Sequence, residues 1–332
     1  MRKAVMLSDS QNDVDRVYAE GRWEALCANV ALYPHVVGIE NFDRHAESLR
    51  DVEVAFSTWG MPELVDAHLD RMPSLRALFY AAGSVQSFAR PFLARDIAVV
   101  SAWAANAVPV AEFTLGQVLL ACKGYFRNER ACRDAELRHA GTAFKGAGVF
   151  GETVGLIGVG MIGRTLCRLL ESFNLKVIGH DPYLEPAVAE ALGIEWVDLP
   201  DVFSRAYVVS NHLPNIPSTR GLLDGSLFAR MRSDATFINT GRGAQVVERD
   251  LIAVLAERPD LTALLDVTWP EPPEKESPLY ALPNVSLSAH IAGSINDEVV
   301  RMADYVLEEY GRWERGEDLL YAVSPDMLET MA

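Results

Sequence analysis

The chain contains little cysteine and comparatively little positive charge. Its 332 residues include four cysteines, whose spacing matches neither a disulfide framework nor a set of metal ligands. We therefore expect free thiols, a reducing compartment and no bound metal. Thirty basic side chains stand against 46 acidic ones, which gives a formal net charge of −16. Such a field opposes contact with nucleic acid and anionic membranes, so neither is expected as a partner.

No stretch of the sequence has the pattern of a signal peptide or of a membrane span. The apolar run Met1–Leu7 is too short for a signal peptide and suits a first strand. The most apolar long segment is Ala104–Cys122. It contains Pro109, Glu112 and Gln117, so it predicts a buried amphipathic helix rather than a membrane span. We accordingly expect a cytoplasmic enzyme.

Short apolar runs alternate with helical patterns along most of the chain, in two series. The alternation predicts an α/β fold with two doubly wound parallel sheets, each covered by helices on both faces. The first series predicts strands at Lys3–Leu7, Val36–Ile39, Val54–Ser57, Ala77–Tyr80 and Ala98–Ser101. The second predicts strands at Val154–Ile157, Val177–Gly179, Tyr207–Ser210, Thr236–Asn239, Ala263–Leu265 and Val285–Leu287. Predicted helices include Asp13–Val30, Pro62–Leu69, Ala104–Gly124 and Ser294–Arg315.

The two series do not divide the chain into simple halves, because the last helix follows the final strand of the second series. We predict a discontinuous, flavodoxin-like substrate-binding domain, residues 1–103 and 299–332, around a continuous Rossmann cofactor domain, residues 104–298. The tail Tyr321–Pro325 is expected to return to the first domain, and Gly141–Gly151 to be a loop. Two chain crossings between domains predict a hinge and a cleft, a common place for a ligand site.

A glycine-rich turn stands between a strand pattern and a helix pattern. The sequence Gly-Val-Gly-Met-Ile-Gly at 158–163 follows the strand-like Thr153–Ile157. Gly158 permits the tight turn, Gly160 lets the backbone approach a pyrophosphate, and Gly163 lets the helix pack against the strand. The alternative is a structural turn, which is disfavoured because strand, helix and a later acid occur together.

Together with the glycine-rich turn, the start of the following helix and the end of the next strand predict a dinucleotide-binding motif. The N–H groups of Met161, Ile162 and Gly163 are expected to face the phosphates, since a helix N-terminus has unpaired donors and a partial positive charge. The next strand ends at Asp181, which can accept hydrogen bonds from both ribose hydroxyls and would repel a 2′-phosphate. No basic residue follows in 182–185, so we predict NAD rather than NADP.

Three polar residues follow the dinucleotide-binding motif along the chain, in an order that suits hydride transfer at a 2-hydroxy acid. Arg242 follows a predicted strand and offers a fork of donors that matches a carboxylate. His290 also follows a strand; it can donate a proton to a carbonyl oxygen and remove it in the reverse direction. Glu271 is predicted to orient His290 and to favour its imidazolium form. Asp266, at another strand end, is a candidate for holding the nicotinamide carboxamide.

Each of these residues has a plainer interpretation when it is taken alone. An arginine after a strand is commonly a surface or phosphate contact, and a histidine before a helix is often a cap. Glu271 lies in Pro-Glu-Pro-Pro, which by itself predicts only a stiff loop. The functional prediction depends on their order after a dinucleotide motif, and on the rule that ligands bind outside the carboxyl ends of parallel strands.

With these motifs in place, the chain resembles the D-isomer-specific 2-hydroxyacid dehydrogenase family from about residue 54 to residue 292. The trio Arg242, Glu271 and His290 falls on the family's motif positions. Further matching positions are Asn106, Glu112, His212, Pro214 and Thr219. Additional candidate cofactor contacts in the strand-end loops are Thr240, Gly241, Asp266, His290, Ala292 and Gly293.

The resemblance implies a reaction, a substrate loop and an assembly. It implies NAD-dependent interconversion of a D-2-hydroxy acid and its 2-keto acid. It places the substrate carboxylate on backbone amides of a loop after a substrate-domain strand, here Gly83 and Ser84, as well as on Arg242. It also implies a homodimer through the cofactor domain, with the segment Ala107–Phe150 at the contact.

The chain departs from the family pattern in ways that concern the substrate. Gln86-Ser87 stands where an Asp-Asn-like pair is usual, Trp103-Ala104 replaces a common Pro-Gly pair, and Thr268-Trp269 replaces an aromatic and an acidic residue. Trp103 and Trp269 suggest an apolar or flat substrate side chain, or packing between domains. The particular acid, the physiological direction and the pathway stay open.

Three other functions are alternatives to the 2-hydroxyacid dehydrogenase interpretation. Formate oxidation on the same fold calls for an amide at position 271 and is discounted. Phosphite oxidation would keep the trio and stays an alternative. A NAD-sensing binding protein, like the family's corepressor relatives, also keeps the trio, although this chain has no obvious peptide-docking insert.

Overall fold

The computed structural model describes residues 1–140 and 144–330. The chain forms two compact units, Met1–Asn106 with Ser294–Ala332, and Ala107–Gly293. We predicted the crossings a few residues away, after 103 and 298. The crossing segments are fixed where the backbone N–H of Ser294 donates to Asn106 Oδ1 at 2.9 Å. Part of the predicted loop Gly141–Gly151, residues 141–143, lies outside the described residues.

The first unit contains a five-stranded parallel sheet. Its strands are β1 (Lys3–Leu7), β2 (Ala31–Val37), β3 (Val54–Ser57), β4 (Ala77–Tyr80) and β5 (Ala98–Ser101). They lie in the order β2-β1-β3-β4-β5, so the neighbours of β4 are β3 and β5. The apolar runs of β3 and β4 are buried along their whole length, as expected for strands covered on both faces. The outer strand β2 is half exposed and irregular, which explains why its apolar pattern predicted only its end.

The second unit contains a seven-stranded parallel sheet. Its strands are β6 (Thr153–Ile157), β7 (Lys176–His180), β8 (Ile194–Trp196), β9 (Val208–Asn211), β10 (Thr236–Asn239), β11 (Thr262–Leu265) and β12 (Val285–Leu287). They lie in the order β12-β11-β10-β9-β6-β7-β8. The prediction of two parallel-sheet α/β domains is confirmed. The short strand β8 was missed, because two of its three residues are exposed and one of them is Glu195, so the strand has no apolar run.

Helices connect the strands in both units. In chain order they are α1 (Gln11–Val17), α2 (Arg22–Asn29), α3 (Phe42–His45), α4 (Asp66–Leu69), α5 (Ala89–Leu93), α6 (Trp103–Cys122), α7 (Tyr125–Ala131), α8 (Ala135–Ala140), α9 (Met161–Leu170), α10 (Pro186–Ala191), α11 (Leu199–Arg205), α12 (Gly225–Phe228), α13 (Glu248–Glu257) and α14 (Val300–Arg315). The predicted single helix Asp13–Val30 is wrong, since the chain breaks at Glu20 and Gly21, both with positive φ. The helix predicted from Pro62 begins only at Asp66.

The last segments of the chain complete the first unit. Tyr310 of α14 packs edge-on against Phe56 and Phe79 of the five-stranded sheet, with ring centroids 5.4 and 5.7 Å away. The tail then pairs with β5 in an antiparallel bridge between Val100 and Ala322. The tail therefore returns to the first domain and covers the edge of its sheet.

Within the described residues, α6 is the one helix that is long and apolar enough to cross a membrane, by length and composition alone. The prediction that its composition falls short of a membrane span is therefore wrong. Half of its most apolar stretch is nevertheless buried inside the protein. Ala111, Val118 and Cys122 belong to the hydrophobic core of the second unit. The helix is thus packed as a core helix.

Candidate active site

The turn between β6 and α9 has the geometry of a nucleotide-binding turn. Gly158 adopts φ +85°, and a Cβ at this position would lie 2.8 Å from the carbonyl oxygen of His212. Only glycine combines that conformation with so close an approach of the loop after β9. By contrast, a Cβ at Gly160 would meet no described atom within 4 Å, so the backbone there borders open space.

The first turn of α9 leaves donors for an anionic ligand. The N–H of Arg164 makes the first helical hydrogen bond, to the carbonyl oxygen of Gly160, at 2.9 Å. The N–H groups of Met161, Ile162 and Gly163 come before that bond and have no acceptor among the described residues. Because unpaired donors and the helix dipole favour negative charge, this turn fits the pyrophosphate of a dinucleotide.

Asp181 lies at the end of β7 and is tied to the same turn. Its carboxylate accepts hydrogen bonds from the N–H groups of Val159 and Tyr183, both at 2.8 Å. An ionised carboxylate can accept about four hydrogen bonds, so two positions remain for ribose hydroxyls. The first bond also holds Asp181 against the glycine turn, a constraint that the sequence could not show.

Arg242 is held by the loop after β10. Its Nη1 donates to the carbonyl oxygen of Gly241 at 2.7 Å. Burial lowers the pKa of Arg242, and the nearby negative charge of Glu271 partly offsets that effect. A desolvated guanidinium gains more from an anionic ligand than an exposed one, because water screens the attraction less.

A close approach of two loops accounts for the nearness of Arg242 to Glu271. A Cβ at Gly243 would lie 1.9 Å from the carbonyl carbon of Thr268. Glycine at 243 therefore lets the Arg242 loop pack directly on the loop that leads to Glu271. Glu248 supports that second loop by accepting a hydrogen bond from the N–H of Trp269 at 3.3 Å, and burial raises the pKa of Glu248.

A buried amide network, which sequence reasoning missed, fixes the Arg242 loop. Asn211 Nδ2 donates to Asn239 Oδ1 at 2.9 Å and to Gln245 Oε1 at 2.5 Å. Gln245 Oε1 also accepts from the N–H of Arg242 at 3.1 Å, and Gln245 Nε2 donates to the carbonyl oxygen of Pro214 at 2.9 Å. The available signal was an asparagine as the last residue of both β9 and β10, in a seven-stranded sheet whose other strands, apart from β7, end in apolar residues.

His290 and Glu271 lie in direct contact. His290 Nδ1 lies 2.7 Å from Glu271 Oε1, and both side chains are partly exposed, at 46% and 37%. Nε2 of His290 has no partner in the part of the chain that the structure describes. Because the carboxylate can only accept, Nδ1 donates, and Nε2 is left as the atom that can exchange a proton with a ligand.

Asp266 holds the loop that presents His290. Its carboxylate accepts from Ser288 Oγ at 2.6 Å and from the N–H groups of Ile291 and Ala292, both at 2.9 Å. Its carbonyl oxygen accepts from the N–H of His290, which adopts φ +54°. Asp266 is buried and engaged with its own loop, so a contact with the nicotinamide would use its remaining acceptor capacity.

The other candidate cofactor positions are largely engaged with the protein. Thr219 Oγ1 donates to the carbonyl oxygen of Pro214 at 2.6 Å and stabilises its own loop. Thr240 is buried beside Thr114, with the two hydroxyl oxygens 3.4 Å apart. His212 is buried as well, and burial lowers its pKa to about 4. Ala292 and Gly293 follow His290 in the loop that Asp266 holds.

The loop after β4 in the first unit offers unpaired backbone donors. The N–H groups of Gly83 and Ser84 donate to no acceptor in residues 1–140 or 144–330. Ser101 Oγ donates to the carbonyl oxygens of Ala82 and Gly83 at 2.9 and 2.5 Å, which fixes the loop. Two adjacent amides of this kind can bind a carboxylate.

The two tryptophans singled out by sequence differ in their surroundings. Trp103 packs edge-on against Tyr321 of the tail, with ring centroids 5.9 Å apart, inside the first unit. Trp269 is 65% exposed, in the loop that leads to Glu271. No group of three or more metal-ligating side chains occurs among the described residues.

A seven-stranded parallel sheet with a glycine turn, an acid at the end of the next strand and unpaired amides at a helix N-terminus defines a dinucleotide-binding domain. Comparison with known proteins agrees. The family model "D-isomer specific 2-hydroxyacid dehydrogenase, NAD binding domain" matches residues 115–292. The chain belongs to the D-isomer-specific 2-hydroxyacid dehydrogenase family, and its second unit is the NAD-binding domain.

The chain is similar to one curated relative and to two solved structures in particular. The chain is 33% identical to a D-3-phosphoglycerate dehydrogenase of Methanocaldococcus jannaschii over 224 residues, which is 67% of this chain but 42% of that protein. The apo D-mandelate dehydrogenase of Rhodotorula graminis superposes with a TM-score of 0.82 at 21% identity, over 97% of each chain. A phosphoglycerate oxidoreductase from Rhizobium etli gives 0.80 at 23% identity, over 99% of this chain and 100% of that one. At these identities the solved structures establish the fold alone.

Proposed function

We propose that the protein is a NAD-dependent oxidoreductase that interconverts a D-2-hydroxy acid and its 2-keto acid. The observation that supports this most directly is the 2.7 Å contact between His290 Nδ1 and Glu271, which leaves Nε2 free. A histidine oriented in this way, in the NAD-binding domain and near a desolvated arginine, provides an acid–base group and an anion-binding group for one substrate.

When NAD is bound, its nicotinamide would supply or accept the hydride, and the protein side chains would stabilise charge and transfer protons. Arg242 binds the substrate carboxylate and the C2 oxygen through its fork of donors. During reduction His290 donates the Nε2 proton to the C2 oxygen as negative charge develops there. Glu271 stabilises the imidazolium through Nδ1 and keeps the ring oriented. In oxidation His290 takes the hydroxyl proton back.

The cofactor contacts follow from the second unit. Met161, Ile162 and Gly163 would bind the pyrophosphate through backbone N–H groups, and Asp181 would accept hydrogen bonds from the ribose hydroxyls. In the first unit, the N–H groups of Gly83 and Ser84 are proposed to bind the substrate carboxylate. This assignment is supported by the absence of any acceptor for those amides among the described residues.

We further propose a cytoplasmic homodimer that assembles through the cofactor domain. Phe150 is 87% exposed, and Tyr125 and Leu120 are 49% and 42% exposed, within the segment we expect at the contact. Burial of such side chains against a second copy would remove apolar surface from water.

The test is NADH oxidation with a panel of 2-keto acids: glyoxylate, hydroxypyruvate, pyruvate, phenylpyruvate, 2-ketoisocaproate and 3-phosphohydroxypyruvate. Phosphite with NAD⁺ is measured in parallel. Saturable turnover of at least one keto acid is the expected result. Turnover of phosphite alone would favour phosphite oxidation. No turnover at all, with tight NADH binding retained, would favour a NAD-sensing binding protein.

A further inference from the structure

The five-stranded sheet borders a cleft at its outer strand β2. The cleft lies between β2, α2 and α3, entirely within the first unit, and has a volume of about 880 Å³. That volume falls within the range of ligand pockets, roughly 300 to 1,000 Å³. Strands β1 and β3 separate β2 from β4, which puts about 15 Å between β2 and the strand before the Gly83 loop. The cleft is therefore separate from the proposed active site.

A bulge in β2 forms part of the cleft. Ala4 of β1 pairs with Leu32, and Met6 pairs with Val36, so β1 advances by two residues where β2 advances by four. The extra residues fall within 33–35, and Tyr33 lines the cleft. Bulges are common at sheet edges, where they re-aim side chains. The irregularity of β2 thus coincides with an aromatic ring at the wall of the cleft.

Aromatic rings form two walls of this cleft. Trp23 of α2 packs on the core of the first unit, with its ring edge-on to that of Tyr18 at 6.4 Å between centroids. Tyr33 also packs on that core and lies edge-on to the His45 ring at 5.6 Å. Aromatic side chains fixed by packing offer a large contact area at low entropic cost. The cleft therefore suits a ligand that contains a flat ring.

The charged group that lines the cleft is a cation. Arg44 of α3 lines it, and none of the described residues around it is acidic. This composition contrasts with that of the chain, in which 46 acidic side chains stand against 30 basic ones. Asp43, the acid next to Arg44, pairs with Arg71, and Arg44 forms no ion pair within the described residues. Its guanidinium is therefore available to an anionic ligand.

His45 provides a second donor beside Arg44. Tyr33 Oη lies 2.9 Å from His45 Nδ1, and His45 Nε2 has no partner in the part of the chain that the structure describes. When the phenol donates to Nδ1, the ring proton lies on Nε2. Even the neutral imidazole can then donate a hydrogen bond from Nε2 to an anion.

We propose that this cleft is a binding site for a small aromatic anion, a flat ring that carries one carboxylate or phosphate group. The ring packs against Trp23 and Tyr33, and the anionic group binds to the Arg44 guanidinium and to His45 Nε2. The site uses no residue of the proposed active site, so this inference goes beyond the proposed function and does not depend on it.

Cys27 provides a local reporter of binding, because it is exposed and lines the cleft one turn after Trp23 on α2. Its rate of alkylation by iodoacetamide is followed by mass spectrometry of peptides, with benzoate or phenyl phosphate added. At least one of the two probes is expected to slow alkylation of Cys27 about threefold or more, in a saturable manner, and to leave Cys132 unaffected. The probe that protects at the lower concentration identifies the preferred anionic group.

Simpler molecules separate the contributions of ring and charge. Benzamide has the ring without the charge, whereas acetate and inorganic phosphate have the charge without the ring. Each should protect Cys27 about tenfold more weakly than the better aromatic anion. Equal protection by any of the three would contradict the assignment of an aromatic anion. Absence of protection by both benzoate and phenyl phosphate would overturn the site altogether.

A variant of the arginine tests the anion contact. Arg44→Gln is expected to raise the probe concentration for half-protection about tenfold, since a charge-assisted hydrogen bond is lost. Arg50→Gln is the matched control, because Arg50 is also exposed but does not line the cleft. It should behave like the parent chain. Each protein is compared with and without the probe, so a change in thiol reactivity alone has no effect. Unchanged half-protection in Arg44→Gln would overturn the proposal.

Discussion

Two loops of the seven-stranded domain each present a histidine, and the two imidazoles have opposite surroundings. His212 follows β9 directly, is buried, and has Nε2 2.9 Å from Ser210 Oγ. Its Nδ1 is buried with no partner among the described residues. His290 follows β12, is partly exposed and contacts a carboxylate. Burial without a charge partner disfavours the imidazolium of His212 and lowers its pKa, whereas the His290 ring is partly exposed and lies beside a carboxylate.

The comparison shows that a histidine after a parallel strand acquires its function from its neighbours. Both histidines match positions of the family pattern, and both were candidates from sequence. Only His290 has the partner and the accessible nitrogen that proton exchange requires. His212 stays neutral near neutral pH, so it serves packing and the shape of the loop beside Gly158.

Replacing His290 gives the largest expected effect. His290→Ala should lower kcat for keto-acid reduction by about 100- to 10,000-fold, the range typical for loss of a general acid. The dissociation constant of NADH should change by less than about twofold, because the pyrophosphate and ribose contacts lie elsewhere. Steady-state kinetics and NADH fluorescence titration measure the two quantities.

His35→Ala is the matched control for this variant, since His35 is an exposed histidine of the other domain. It should leave kcat unchanged. A His290→Ala protein that retains turnover would show that another group transfers the proton. It would contradict the conclusion that His290, unlike His212, has a role in proton exchange.

Replacing His212 gives a smaller effect, on stability rather than turnover. Its folded pKa of about 4 lies below its ordinary value of 6.5. Between these values the unfolded chain binds a proton that the folded chain does not, so stability falls as pH is lowered through this window. From pH 7 to pH 5 the loss from this group is about 2 kcal/mol.

His212→Gln should remove that part of the pH dependence. The difference in unfolding free energy between pH 7 and pH 5, from urea titrations, should be smaller in the variant than in the parent chain. The absolute stability of the variant does not affect this comparison, because the difference between the two pH values is measured within each protein. Identical pH dependence in the two proteins would show that His212 is not buried as a neutral group.

The sequence was sufficient for the fold class and most strands, because buried parallel strands appear as apolar runs. Val54–Ser57, Ala77–Tyr80 and Thr236–Asn239 were located to the residue. Strands β2 and β8 were not, since exposed or polar residues interrupt the apolar run in both. The break at Glu20 and Gly21 was hidden because the apolar spacing of α1 continues into α2.

The candidate site was predictable where a motif has a fixed spacing and not where loops meet in space. The glycine turn and Asp181 form one local unit, so their proximity followed from the pattern. Gln245 accepts a hydrogen bond from the N–H of Arg242, and the missing side chain of Gly243 allows Thr268 to approach closely. These features could not be predicted, because the close approach joins loops that follow different strands. Likewise, nothing in the spacing indicated that Asp266 accepts three hydrogen bonds from the His290 loop.

Transfer of a labelled hydride tests the central claim most directly. The protein is incubated with a 2-keto acid that it turns over and with NADH deuterated at the transferred position of the nicotinamide. The proposed function predicts one deuterium at C2 of the product and the D configuration at that carbon. A product without deuterium at C2, or of L configuration, would contradict it.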